Sequence, residues 1–209
     1  MTEVEQKAPA VITTDGRLTP MVLSVARRLR ESLAAGMRLS PSELPRTVQL
    51  SSTADAQRAF LTFWGDAVIV SADSASEPEK QWEVRWQDPI VSDSDAEEPF
   101  YSEVLALLAG RELGWREVVE DFWSRTRALP GMPTGLGIYC FDEDATLELG
   151  DLTADPYRLL ATAGALSRVF GGRSLFLEEL EREEMALDGP LSGASALTGA
   201  NLKVVCGEL

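Results

Sequence analysis

Histidine is absent from all 209 residues. Its absence removes imidazole acids, bases and metal ligands, and with them every Ser-His-Asp or Cys-His nucleophile arrangement. Cysteine occurs twice, at Cys140 and Cys206, too few for a disulfide framework or a structural zinc site. Both are expected as buried apolar side chains in a reducing compartment. No basic segment followed by an apolar run opens the chain, and no stretch approaches ~20 apolar residues. Neither a signal peptide nor a membrane span is therefore expected, and the expected location is cytoplasmic. Lysine is scarce, 3 against 16 arginines, a codon habit that together with abundant alanine points to a GC-rich, bacterial genome.

Positive charge is the other shortage. Residues 1–50 carry seven basic and five acidic side chains, the remainder twelve against twenty-nine, which gives the net charge of −15. Such a field repels phosphate backbones, so direct nucleic-acid binding is disfavoured, and it speeds encounter with a basic protein or a cationic ligand. Simple solubility is the competing reason for the same composition.

With 44% hydrophobic residues the chain can bury a sizeable core. Its densest apolar stretch is 100–127. Pro99 suits a first helical position, and Tyr101, Val104, Leu105 and Leu108 follow at helical spacing. Gly110 and Gly114 break the pattern, which restarts as Trp115, Val118, Val119, Phe122 and Trp123, so two helices are expected. Asp121 and Arg125 are spaced for a helical ion pair. Burial of each large side chain contributes roughly 2–3 kcal/mol, and the stretch is read as the centre of the core.

Before it, Met1–Gly16 lacks periodicity and is expected as a mobile tail in which Val11 and Ile12 allow an edge strand. Thr19 and Pro20 then start a helix with Val22, Val25, Ala26, Leu29 and Leu33 on one face and Gly36 at its end. Arg27, Arg28 and Arg30 are placed on a solvated face. A short strand is expected at Thr47–Leu50. Residues 56–64 read as a helix, with Ala56, Ala59, Phe60, Phe63 and Trp64 on one face. The competing reading is a strand over Ala59–Trp64, paired through Gly65 and Asp66 with Val68–Val70. Trp82, Val84 and Trp86 alternate with polar residues as in a half-buried strand, and 91–98 is a polar loop.

After it, Leu136–Phe141 reads as a central strand apolar on both faces, with a turn at Asp142–Asp144 and a returning strand through Leu147 and Leu149. Asp155 and Pro156 are expected to open a helix with Leu159, Ala163, Leu166 and Phe170 on its face, closed by Gly171 and Gly172. Residues 174–187 combine a strand-like start with a helix-like Glu178–Glu184. Gly189–Gly199 reads as turn, and Leu202–Cys206 as a last strand.

Motifs for chemistry are weak. Asp142, Asp144, Glu148 and Asp151 are the densest set of carboxylates, but a calcium loop counted from Asp142 would place Leu147 at its glycine and Thr153 at its bidentate glutamate. Gly131, Gly135 and Gly137 precede a strand, whereas phosphate loops follow one. Ser195 lacks the second glycine of a nucleophile elbow. Two facing carboxylates beside Trp82 or Trp86 would suffice for a carbohydrate site, yet no spacing singles out a pair.

The expectation is an α+β protein: a mobile tail at 1–16, then a single domain at 17–209 with a mainly antiparallel sheet of about five strands and helices on one face. No catalytic, metal or cofactor residue is assigned, and no cofactor. The leading functional expectation is a non-catalytic protein-binding role, as an inhibitor, immunity-type factor or adaptor with a basic partner. The candidate interaction surface is Asp142, Glu143, Asp144, Glu148, Asp151, Glu178, Glu179 and Glu181. A carboxylate-dependent hydrolase or a small-molecule- or carbohydrate-binding protein is one alternative, and a self-associating structural component, hence a homo-oligomer, the other. No membrane partner is expected.

Overall fold

The computed structural model describes residues 11–91, 98–111, 113–153 and 156–209. Residues 1–10 of the expected tail, 92–97 of the expected polar loop, and Asp155 of the expected helix start lie outside the described residues. The chain divides into two compact units, Met1–Arg111 and Glu112–Leu209. The glycine-flanked break at 110–114 falls at their border, so the two helices of the 100–127 stretch serve different cores.

The first unit runs β1 (Val11–Asp15), α1 (Pro20–Ala34), β2 (Ser42–Ser52), β3 (Arg58–Gly65), β4 (Ala67–Ser71), β5 (Lys80–Val84) and α2 (Pro99–Ala109). Its sheet has the order β1-β4-β3-β2-β5. The inner pairs are antiparallel and both edge strands are parallel to their neighbours. The sheet is thus mixed rather than mainly antiparallel. Of the two readings of 58–65 the structure has the strand, paired to β2 on one side and through a tight turn to β4 on the other, because that pairing outweighs a short helical stripe. Ala59, Leu61 and Phe63 share a core with Met21, Val25 and Leu29 of α1 and Val104, Leu107 and Leu108 of α2.

Thr19 caps α1 through its hydroxyl, which accepts from the Val22 amide at 3.2 Å. Arg27 and Arg28 are buried, against the expectation of a solvated face. Arg28 donates to the carbonyls of Leu108 (3.0 Å) and Ala109 (2.6 Å), and Ser32 to that of Leu107 (2.6 Å). Three carbonyls left without partners at the end of α2 are thereby satisfied from α1. Arg27 pairs with Glu31 at 2.9 Å.

The second unit runs α3 (Trp115–Thr126), β6 (Gly135–Cys140), β7 (Ala145–Gly150), β8 (Pro156–Ala161), α4 (Ala163–Phe170), α5 (Phe176–Glu181), β9 (Met185–Asp188) and α6 (Leu191–Val205). The sheet order is β7-β6-β8-β9, with β6 and β8 parallel and the outer pairs antiparallel. On α3 the expected residues Trp115, Val118, Val119, Phe122 and Trp123 are all buried, and Arg125 pairs with Asp121 at 2.6 Å.

Two expectations fail in this unit. The helix placed at Pro156 starts only after Thr162, whose hydroxyl accepts from the Ala165 amide. Residues 156–161 are instead a strand, because Tyr157, Leu159 and Ala161 alternate inward with Arg158 and Leu160 outward. Residues 191–205 form one helix where a turn and a strand were expected. Its buried positions, Gly193, Leu197, Ala200, Asn201, Val204 and Val205, follow helical spacing but begin with small residues. Their size is the reason for the helix's close approach: a Cβ on Gly193 would lie 2.6 Å from Cε2 of the buried Tyr157 ring.

Candidate functional site

Inward residues of the second sheet, Leu136, Ile138 and Cys140 on β6 and Tyr157, Leu159 and Ala161 on β8, share a core with α3, α4 and α6. Strand geometry sends the intervening residues to the opposite face. That face is not buried: Tyr139 is 38%, Leu160 40% and Phe141 48% exposed.

Register arranges this face in two rows. Glu148, Gly137, Arg158 and Asp188 stand abreast across β7, β6, β8 and β9. Two residues further along each strand, Thr146, Tyr139, Leu160 and Ala186 do the same. A charged row thus lies beside a mainly apolar one, about 7 Å apart. All of these residues except Ala186 line a groove of about 570 Å³.

One wall of the groove is Leu152 and Thr153. The chain must pass from β7 to β8 across the start of β6, since β6 lies between them. Gly135 permits this, because a Cβ there would fall on the carbonyl oxygen of Asp151. The crossing is pinned by the Asp151 amide donating to the Thr134 carbonyl at 2.9 Å, and by Asp151 Oδ1 accepting from the amide and hydroxyl of Thr153. Those Thr153 bonds hold the Asp151 carboxyl below its usual range. Gly137, in the groove floor, is under no such constraint: a Cβ would meet its nearest neighbour, Arg158 Cγ, at 3.8 Å, an ordinary contact.

The β6–β7 hairpin supplies most of the charge, and much of it is already employed. Asp142 Oδ1 accepts from the Cys140 thiol (3.1 Å) and the Ala163 amide (2.9 Å), closing the first turn of α4. Those two bonds lower its pKa. Burial, reinforced by Asp142, pushes the Cys140 thiol up to about 11, so it is no nucleophile at neutral pH. Glu143 accepts from the Trp115 indole at 2.7 Å, and Asp144 from the Tyr139 hydroxyl at 2.9 Å. By contrast, the side chains of Glu148, Arg158 and Asp188 make no hydrogen bond or ion pair with any described residue. Three charges without a partner among the described residues therefore stand in one row of an open groove.

Of the eight acidic residues expected to form an interaction surface, Glu148 lines the groove. Asp144 and Asp151 bond to residues that line it, and Asp142 and Glu143 sit in the same hairpin turn. Glu178, Glu179 and Glu181 lie apart on α5. Glu179 is fully buried and cannot belong to a surface. It is gripped by Arg168 (2.7 Å) and Arg182 (2.8 Å). Burial pushes the Glu179 carboxyl up, but the bonds and charge of Arg168, with Ser174 and Arg182, outweigh it and hold the pKa below its ordinary value. Trp82 is buried edge-on to Tyr101 in the first unit, with no open face for a sugar.

Gly137 was weighed from sequence only as part of a phosphate loop, and Tyr139, Arg158, Leu160 and Asp188 were not singled out as site residues. The alternation of 157–161 carried the signal for two of them, but the helix assigned to that segment hid it. Among the described residues no group of three or more Cys, Asp or Glu is arranged to hold a metal ion. No described helix is long and apolar enough to cross a membrane. No protein family, curated protein or solved structure matches the chain.

Proposed function

We propose that the protein is a non-catalytic binding protein and that the open face of its second sheet receives a basic protein partner. One observation carries this reading: Tyr139, Leu160 and Phe141 stand exposed on a sheet face whose opposite side is packed with helices. Glu148, Asp188, Asp144 and Asp151 lie about that exposed patch, with the Arg158 guanidinium among them. Exposed aromatic and aliphatic side chains rimmed by charge supply the anchor and the rim of a protein interface. The surrounding carboxylates and the net charge of −15 favour a cationic partner and hasten its arrival.

The partner meets the face of the sheet rather than its β7 edge. Arg116 on α3 donates to the Thr146 carbonyl at 2.8 Å, so a carbonyl of β7 is already occupied. A strand adding to that edge would have to displace it.

The test is affinity capture from the native host with the wild type and two variants, Tyr139→Ala and Leu160→Asp, followed by titration of the retained protein. The expected partner is basic, binds more weakly as salt rises, and loses about tenfold in affinity with Tyr139→Ala. A partner that binds both variants like the wild type at every salt concentration removes the proposal. Light scattering identifies the case in which the retained partner is a second copy of this chain.

A further inference from the structure

We infer that the groove reads the order of charges along its occupant: an extended segment that presents basic, acidic and basic side chains in turn, with apolar residues beside them. This deepens the proposed binding role and rests on it. The basis is the charged row, which runs negative, empty, positive, negative as Glu148, Gly137, Arg158 and Asp188. None of its three side chains forms a hydrogen bond or ion pair with another described residue. Adjacent strands lie about 4.8 Å apart, so Glu148 and Arg158 are separated by about 10 Å with Gly137 between them. Gly137, between them, leaves space in which a side chain of the occupant can rest.

A purely basic segment is a poor complement to this row. It satisfies Glu148 and Asp188 but sets a like charge against Arg158, and like charges placed together at an interface disfavour binding strongly. An occupant with an acidic residue at the centre meets all three. Its apolar side chains then fall on the neighbouring row of Tyr139 and Leu160, about 7 Å along the strands. The chain is held across the strands by the crossing loop at Leu152 and Thr153 on one side. Arg158 is thus the specificity residue of the groove, and the acidic rim governs how fast and how strongly basic segments arrive.

Two synthetic peptides of identical composition, capped at both ends, test this. One carries Lys, Glu and Lys in that order at alternate positions among Leu and Ala. Its isomer carries Glu, Lys and Lys. Equal net charge removes the bulk field from the comparison. Fluorescence anisotropy with the full chain is expected to show the first binding about tenfold more tightly. Arg158→Glu should abolish that preference, and Gly137→Val should weaken both peptides by filling the groove floor. Gly137→Val sits on an exposed strand face, and circular dichroism with thermal melting verifies that it is folded. Equal, salt-sensitive binding of the two isomers overturns the charge-order inference while the acidic docking face stands. Binding of neither isomer overturns both. A preference that survives Arg158→Glu also overturns the inference, since the order would then be read elsewhere.

Discussion

Glu183 holds a φ of 60°, a left-handed conformation that costs a side-chain-bearing residue about 1–2 kcal/mol. It stands just past α5, where its amide donates to the Leu180 carbonyl and the Glu184 amide to that of Glu179. This is the pairing of a glycine-closed helix end. The corresponding positions after α1, α4 and α6 are Gly36, Gly172 and Gly207, all with positive φ. Glu183→Gly should therefore stabilise the protein, by about 0.5–1 kcal/mol once the added freedom of the unfolded chain is subtracted. A raised urea midpoint with an unchanged slope is the expected result. Gly193→Ala should act in the opposite sense. The added methyl meets the Tyr157 ring at 2.6 Å in a packed core, and overpacking of this kind costs about 1–3 kcal/mol. Thermal denaturation beside the wild type measures it.

At the scale of elements, α4, α5 and the turn before β9 are joined by one ionic cluster in which Arg168 contacts Glu179 and Glu184, and Arg182 contacts Glu179. The folded-state pKa of Glu179 is depressed below its ordinary value of 4.5. Its stabilisation is therefore complete above about pH 4.5 and is lost as pH falls towards the lower folded-state value. Asp142 and Asp151 shift in the same direction. The urea midpoint should fall steeply below pH 4.5, and Glu179→Gln should flatten that dependence while costing about 2 kcal/mol at neutral pH through its weakened charged hydrogen bonds. A variant whose acid limb matched the wild type would exclude Glu179 as a source of the dependence. The elements best read from sequence were those whose signal is local. The Thr19-Pro20 start of α1 and the face of α3 are written in adjacent spacing and are found as expected. The short apolar run at 58–65 was ambiguous between two periods although its partner β4 is the next strand. Residues 156–161, by contrast, have a helix-like start, and their partners, β6 and β9, lie far along the chain. The buried Arg28 was illegible for the same reason: its partners are carbonyls of α2, 80 and 81 residues away. The acidic hairpin was visible, but the row opposing it, Arg158 and Asp188, lies on strands that only the register places beside Glu148.

For the molecule as a whole, the division into two units has a direct consequence for the groove. Each unit has its own core: one cluster draws only on residues of the first unit, the other only on residues of the second. Every residue of the groove, from Gly137 to Asp188, belongs to the second. The covalent link between them, around 110–114, bears glycines at both ends. A fragment of residues 113–209 carries the whole sheet, its helices and its crossing loop, and a chain of that length can support an independent core. It should fold with a cooperative thermal transition and bind the basic-acidic-basic peptide with the affinity of the full chain. A fragment that binds a hydrophobic dye and melts without cooperativity would show instead that the second core needs residues of the first. If the fragment folds but binds the peptide more weakly, some part of the recognition lies outside the four-stranded sheet. Matching affinities would place all of it on the face formed by β6, β7, β8 and β9.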